Sequence, residues 1–519
     1  MLQFKFCQHF LYRLCVIMFK YDTTFERAQS MATKNKSFWG RYDIRAIVGE
    51  AFGAAQYQAV GQAFARYLKQ RLPQGQAPVW VAVGFDARLH SPNFTEALIQ
   101  GLTQAGINVV NLGFSTSPIV YFSEYLHATN PQFPDVAATL VVTASHNPSE
   151  YNGLKFTFQK GSLSEPEFLY LQELYHQGLE QSETGAEKSG EVIQYNILPE
   201  YIQWFEDTFK QVGQGIRVVI DSGNATAGIV APEVFRCLGC EVIDIFTEPD
   251  GRFPNHHPDP CVHKNLLFLI DKVKETQADF GIAFDGDSDR LGVVDNQGKI
   301  IPGDQITMFL AKDVLKEQPG ATILFDIKGT QTLIDYIEQF QGDPVFAPSG
   351  HAFMKRTMKE QDISLGGELS GHIFFRDKHW GFDDALYAGC RFLESFAQRR
   401  AEQATFKLSD FVAELPQTQI SEEIRVPCSR EQTQQLIDTL MAALKENPSY
   451  FGSPVLDVLT IDGLRINIQN GFFLLRASNT EPCITLRFEA PSAEIYQHIE
   501  QLLAELCSSL NKQSALQHA

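Results

Sequence analysis

Asp285, Asp287 and Asp289 alternate with small residues in ADFGIAFDGDSDRLGVVD, directly after the apolar run 279–284. Three carboxylates so close repel one another, and a hard divalent cation between them relieves the repulsion. Magnesium keeps few carboxylates and adds phosphate oxygens, which suits an open loop of this kind. An EF-hand calcium loop needs Gly at its sixth position and Glu at its twelfth, and Arg290 and Asn296 stand there instead. Arg290 beside the acids fits a phosphate bound near the metal. The bland alternative is a solvated acidic turn.

Three further segments carry chemistry. In AATLVVTASHNPSEYNGLKF (137–156) an apolar strand ends in a turn that presents Ser145 with His146 beside it. A serine hydroxyl is a weak nucleophile that needs activation, and this is not the G-x-S-x-G elbow of hydrolases. Alone it reads as a polar turn. In SLGGELSGHIFFRD (364–377) glycines flank Glu368, Ser370 and His372, a set suited to a polyhydroxylated ligand such as a sugar. In LLRASNTEPCITLRFE (474–489) Arg476, Ser478, Asn479 and Thr480 crowd one turn, and such donors suit a phosphate dianion. Each of these is weak singly. A metal loop, a hydroxyl carrier, a polyol loop and a phosphate loop together describe a phosphosugar phosphotransferase.

The elements that must position these loops alternate between strand and helix. PVWVAVGFD (78–86) leads into a helical pattern from Pro92 to Ala105, which Gly106 stops before a new strand begins. IRVVIDSGNATAG (216–228) and ATILFDIKGT (321–330) open similar units, each a strand, an acid, a small-residue turn and a helix. This is the grammar of largely parallel α/β domains, and the functional loops fall at strand ends, where open sheets bind ligands. Beyond residue 412 strands and helices segregate, as in an α+β domain. ETGAEKSGE (183–191) reads as a linker.

Composition sets the outer limits. The chain of 519 residues has 44% hydrophobic and 20% charged residues and a net charge of −19, which argues against nucleic acid and against a polybasic membrane patch. Nine scattered cysteines are too sparse for a disulfide scaffold. Cys237 and Cys240 form a lone C-x-x-C, read as a helix end stopped by Gly239 and running into a buried strand. Residues 1–37 fit a signal peptide or membrane span poorly, because the apolar run is short and Arg13 breaks it. They are read as a disordered extension or as a mis-called start, with Met18 and Met31 the later candidates, and the protein as cytoplasmic.

From about Phe38 to near the C-terminus, the chain resembles the α-D-phosphohexomutases, and most closely the bacterial phosphomannomutase/phosphoglucomutase group. TASHNP resembles the phosphoserine loop, DGDSDR the metal loop, GELSGH the sugar loop and RASNTEP the phosphate loop. YDIR (42–45), YNGLK (151–155), FPNHHPDP (253–260) and GFDD (381–384) match as well. The resemblance implies three related mixed α/β domains and a smaller C-terminal α+β domain around a central cleft. On this sequence they would span 38–192, 193–299, 300–412 and 413–519.

The resemblance also implies an isomerase that interconverts hexose 6-phosphates and hexose 1-phosphates, mannose first and glucose beside it. A phosphoserine, one Mg²⁺ per chain and a hexose 1,6-bisphosphate intermediate or activator would serve the reaction. Ser145 would carry the phosphoryl group, and its phosphate oxygen with Asp285, Asp287 and Asp289 would bind the metal. Arg45 and Arg290 would support the phosphate, and His146 and Lys155 would handle protons. Glu368 and Ser370, with His372 nearby, would hold sugar hydroxyls, and Arg476, Ser478, Asn479 and Thr480 would grip the far phosphate. Tyr42, Lys328 and His351 would be further substrate contacts. The implied partners are small hexose phosphates, with no nucleic acid, membrane or obligate protein partner. Phosphoglucosamine mutase is the alternative within the class, and a non-catalytic phosphosugar-binding protein the alternative outside it. The sequence departs from the family at Ala46 and Ala87, where Gly is common, at Ser288 for Gly and at Leu369 for Met. A positive φ at either alanine would be costly.

Overall fold

The computed structural model describes residues 38–50, 52–73, 78–180, 189–477 and 483–517. The N-terminal extension and most of the linker at 183–191 lie outside them. The chain divides into two compact units. The larger holds Trp39–Gln417 with Leu459–Arg465, and the smaller holds Thr418–Val458 with the chain from Ile466 onward.

The larger unit contains three sheets built on one plan. In the first, Trp80–Phe85 pairs in parallel with Asn108–Phe114 and Val136–Val142, and Tyr151–Phe158 returns antiparallel against Val136–Val142. In the second, Arg217–Asp221 pairs in parallel with Glu241–Ile245 and Phe280–Phe284, and Leu291–Asp295 returns antiparallel. In the third, Thr322–Asp326 pairs in parallel with Asp343–Ala347 and Leu365–Gly367, and Ile373–Phe375 returns antiparallel. In all three the last parallel strand turns into an antiparallel one. Those turns are the segments that carry Ser145, the three aspartates, and Glu368 to His372. The three repeats expected from strand–turn–helix grammar are present, and the shared turn explains why their chemistry falls at equivalent places.

Local sequence accounts for the scaffolding helices. Ser91–Gln104 begins with Pro92 in its first turn and ends before Gly106, whose φ of 78° suits glycine alone among common residues. Asp384 caps Ala385–Glu402 through the Tyr387 N–H, and Thr116 caps Ser117–Leu126 through the Ile119 N–H. Helices Ser117–Leu126, Leu198–Phe209 and Ala385–Glu402 meet in an aromatic block that includes Phe122, Tyr201, Trp204, Phe205 and Tyr387. Each such ring pair adds about 0.5–1.5 kcal/mol beyond its buried area. The Tyr201 hydroxyl donates to Asp384 Oδ2 at 2.6 Å, and the Tyr387 hydroxyl accepts from Arg391 at 3.1 Å, so burial strands neither polar tip.

One expectation needs correction. Gly239 does stop the helix Ala231–Cys237, with φ 92°, and Cys237 and Cys240 are free thiols. The strand that follows, Glu241–Ile245, is only half-buried, because it lies at the edge of its sheet. An apolar run cannot reveal which strand closes a sheet.

In the smaller unit the strands follow the order Gln419–Ile420, Cys483–Ala490, Gly471–Ala477, Leu464–Ile468, Val455–Leu459, and Ile424–Pro427 also pairs with Cys483–Ala490. Helices Arg430–Glu446 and Ala493–Gln517 flank these strands in sequence, as the segregated pattern of the tail implies. Among the described residues no helix is long and apolar enough to cross a membrane.

Glu124, on helix Ser117–Leu126, is 3% exposed and accepts the Thr157 hydroxyl at 2.9 Å. Burial pushes its carboxyl up from 4.5 to about 8. Between those values the folded state holds a proton that the unfolded chain has lost, so stability falls as pH rises across that window. Each pH unit of this displacement is worth about 1.4 kcal/mol. Glu124→Gln should flatten the decline between pH 5 and pH 8 in urea unfolding. An unchanged slope would show that Glu124 is charged in the fold.

Candidate active site

Ser145 sits just past strand Val136–Val142, 1% exposed, in the left-handed region at φ 51°. A non-glycine residue holds that conformation only when its surroundings impose it. Arg88 supplies much of the constraint. Its guanidinium, fully buried, donates to the carbonyl oxygens of Ser145 at 2.8 Å, Asn147 at 2.6 Å and Tyr151 at 3.1 Å, and to Asp86 at 3.0 Å. Asp86 also takes the Thr143 hydroxyl at 2.8 Å, and Thr143 Oγ1 accepts the Ser145 N–H at 2.8 Å. From the second domain, His257 Nε2 donates to the His146 carbonyl. The turn is thus held at its carbonyls while the serine side chain stays available.

The Ser145 hydroxyl donates to Asp285 Oδ2 at 2.7 Å and lies 3.2 Å from His146 Nδ1. Asp285, Asp287 and Asp289 are all fully buried, and one oxygen from each lies within 4.8 Å of the others. Lys155 Nζ reaches both Asp287 Oδ2 at 2.6 Å and Asp289 Oδ2 at 2.5 Å, and Ser117 also donates to Asp287 Oδ2. The other oxygen of Asp287 is buried with no hydrogen-bond partner. Burial and the neighbouring Asp289 and Asp287 charges drive the Asp285 pKa well up. An orphaned carboxylate oxygen, an acid that cannot afford its charge and an all-oxygen donor set fit a hard divalent cation. Gly286 makes the approach possible: a Cβ there would stand 2.4 Å from the Ser145 carbonyl oxygen.

The third turn joins this cluster through His372. Its Nε2 lies 3.2 Å from Asp289 Oδ1 and its Nδ1 lies 2.9 Å from Glu368 Oε2 and 3.1 Å from Ser370 Oγ. Burial is the largest influence and lowers its pKa, but Asp289 and Glu368 together outweigh it and hold the imidazole up at about 9. Glu368 Oε1 accepts the Gly350 N–H at 2.6 Å. Gly371, at φ 88°, packs where a Cβ would stand 2.7 Å from the Leu291 carbonyl, and it accepts the Leu291 N–H at 2.9 Å. The sugar-type loop and the acidic loop are therefore one backbone assembly.

Around this centre, Arg45 bonds Asp43 and Asn147, both at 2.9 Å, and Arg290 Nε stands 3.9 Å from Asp285 and 3.4 Å from His372 Nε2. Lys328 pairs with Asp326 at 3.1 Å. His351 lies 3.1 Å from Asp383, and Tyr42 meets its ring edge-on at 5.1 Å. The two proton candidates differ in kind. Burial, with the Arg290 and Arg45 charges, drives the His146 pKa well down, so the imidazole is neutral. Burial also opposes the charge on Lys155, but Asp287 and Asp289 prevail and raise its pKa far above the ordinary value. Lys155 is therefore held protonated.

Of the residues singled out in the sequence, the three turns and Tyr42, Arg45, Lys328 and His351 all belong to the larger unit. Arg476 lies on strand Gly471–Ala477 of the smaller unit, 7% exposed. Ser478, Asn479 and Thr480 lie outside the described residues. The sequence reading assigned no role to Arg88, Asp383, Lys355 or Ser117. The doubled acid of GFDD, and an arginine two residues beyond a strand-end aspartate, were the available signals for two of them. The departures prove mild. Neither Ala46 nor Ala87 has positive φ. Ser288 does, at 65°, and its hydroxyl bonds Thr226 at 2.8 Å instead of turning to the acids.

Known proteins converge on the same class. Models described as phosphoglucomutase/phosphomannomutase alpha/beta/alpha domains I, II and III match residues 36–180, 199–298 and 302–418, and that family's C-terminal domain matches 423–506. A Pseudomonas putida phosphomannomutase/phosphoglucomutase is 39% identical over 90% of this chain and 94% of its own. A Neisseria gonorrhoeae phosphoglucomutase is 36% identical over 91% and 96%. The crystal structure of a Burkholderia thailandensis phosphoglucomutase/phosphomannomutase family protein, 35% identical, superposes with a TM-score of 0.81 over 91% of this chain and 97% of that one. The fold and the comparisons define an isomerase of the phosphohexomutase class. The chain belongs to the phosphoglucomutase/phosphomannomutase family.

Gly286→Ala tests the contact between the first two turns. The added methyl must displace the Ser145 backbone, so turnover should fall by about 10²-fold and thermal unfolding should move to lower temperature. Wild-type turnover would show that the close approach is dispensable.

Proposed function

We propose that this enzyme interconverts mannose 6-phosphate and mannose 1-phosphate, and glucose 6-phosphate and glucose 1-phosphate, with Ser145 as the phosphoryl carrier. The observation that carries the reading is the Ser145 hydroxyl at 2.7 Å from Asp285, held at a strained φ beside two further buried aspartates. Asp285, Asp287 and Asp289 would hold one Mg²⁺ together with a phosphoserine oxygen. Bound there, the metal supplies neutralisation of charge on the transferred phosphoryl, the main requirement of a loose transition state.

The side chains divide the remaining work. The phosphorus–Oγ bond of phosphorylated Ser145 breaks as a bond to the sugar's free hydroxyl oxygen forms, giving a hexose 1,6-bisphosphate. Neutral His146 accepts the proton of that hydroxyl. Lys155, kept protonated, stabilises the phosphoryl oxygens and can return a proton when transfer reverses. Arg45 and Arg290 flank the phosphate as fixed charges. Glu368 and Ser370 take sugar hydroxyls, the first anchored on Gly350 and both tied to His372. Tyr42, Lys328 and His351 line the approach. Arg476, Ser478, Asn479 and Thr480 would grip the second phosphate, so that the bisphosphate, turned end for end, returns its other phosphoryl to Ser145. The domain limits at 192, 299 and 412 belong to the same reading.

One coupled assay across mannose, glucose and glucosamine phosphates decides the substrate. Mannose and glucose phosphates should turn over with Mg²⁺ and a trace of hexose bisphosphate, and Ser145→Ala should lose nearly all of it. Turnover of glucosamine phosphate alone would overturn the specificity, and near-normal rates in Ser145→Ala would overturn the carrier.

A further inference from the structure

Away from the catalytic turns, the larger unit holds a cavity of about 510 Å³. Its walls are the segment Thr157–Ser164, helix Ser117–Leu126, helix His351–Gln361 and the turn from Arg376 to Phe382. Register sets it apart from Ser145. Strand Tyr151–Phe158 leaves the catalytic end with Leu154 opposite Val142 and reaches Phe158 opposite Ala138. Those four residues cover about 13 Å of strand. No residue named above as a catalytic or substrate-binding candidate lines the cavity.

Its chemistry departs from that of the chain. Lys and Arg are 43 of 519 residues overall but five of the twenty that line this cavity, in a protein of net charge −19. Two of the five are anchored, Lys355 on Asp383 at 2.9 Å and Arg376 on Asp362 at 3.4 Å, and Arg376 Nε is buried with no hydrogen-bond partner. Lys160, Arg356 and Lys359 form no ion pair with a carboxylate among the described residues. Three acids also line the cavity. Glu167 is occupied by the Ser164 and Tyr67 hydroxyls, Glu360 is exposed, and Glu124 is kept protonated near neutrality by burial. The cations are therefore poorly compensated. Beside them stand two aromatic rings, Tyr125 and Trp380, stacked at 4.9 Å, with Lys160 Nζ 4.8 Å from the Tyr125 ring centre.

We propose that this cavity binds a nucleotide, its phosphates on Lys160, Arg356 and Lys359 and its base against the Tyr125–Trp380 pair. Uncompensated guanidinium and ammonium groups select phosphate, and stacked aromatic faces accept any base. The volume falls in the range of small-molecule sites. Pyrophosphate lacks a ring to set against the two aromatic residues.

Titration calorimetry on the full-length protein, with hexose monophosphate and Mg²⁺ saturating, tests the assignment using ADP, GDP and pyrophosphate as probes. One nucleotide site should be seen, with pyrophosphate binding more weakly. Lys160→Ala and Lys359→Ala should each weaken nucleotide binding by about tenfold while mutase turnover stays at the wild-type rate. Absence of binding at millimolar nucleotide would overturn the proposal, as would equal affinity in both variants. Nucleotide binding that appears only when hexose monophosphate is omitted would move the ligand to the catalytic site, and pyrophosphate binding as tight as nucleotide would remove the base from the account.

Discussion

Three carboxylates buried in one short loop cannot remain charged together without cations among them, and the site is organised around that constraint. Asp285, Asp287 and Asp289 are each 0% exposed, and the protein meets their charge from three directions. Lys155 bridges Asp287 and Asp289, His372 stands as an imidazolium against Asp289, and Ser145 gives its hydroxyl hydrogen to Asp285. Asp287 Oδ1 and Asp289 Oδ1 still make no hydrogen bond, the second with only the His372 ring nitrogen 3.2 Å away. A stable core would not keep such a group, since an unmet buried acceptor costs roughly 1–3 kcal/mol or more if charged. Its persistence marks a place prepared for a ligand.

The scaffold brings these groups together by repeating one device. Each α/β sheet ends its parallel run with an antiparallel return, and each return presents a turn. Backbone contact then welds the turns together. Gly286 admits the Ser145 carbonyl, and Gly371 admits Leu291. Arg88 secures the first turn from beneath, through four carbonyls and one carboxylate, without reaching the chemistry. The strained φ of Ser145 is the local cost of that arrangement, and the aromatic block between the helices supplies stability elsewhere.

Much of this is legible in the amino-acid sequence, for physical reasons. Alternating acids after an apolar strand point to a cation because their mutual repulsion needs relief, and small residues at strand ends point to turns that approach closely. Strand–acid–turn–helix units announce the sheets. Other features depend on partners far away in the chain. Lys155 meets Asp287 and Asp289 across 132 and 134 residues, and no spacing rule reaches that far. That pairing holds the lysine protonated. Arg88 reads as an ordinary charged residue until the carbonyls of a turn nearly sixty positions away close around it. The Glu241–Ile245 strand reads as buried because hydropathy does not say which strand ends a sheet.

The central claim is that this geometry makes Ser145 a carrier that hands its phosphoryl group to a sugar instead of to water. The direct measurement is a single turnover with isotopically labelled phosphate on Ser145, quenched after mixing with unlabelled hexose phosphate and Mg²⁺. The account predicts label in the hexose bisphosphate and then in the hexose monophosphate. Label released chiefly as inorganic phosphate, or retained on the protein, would contradict it.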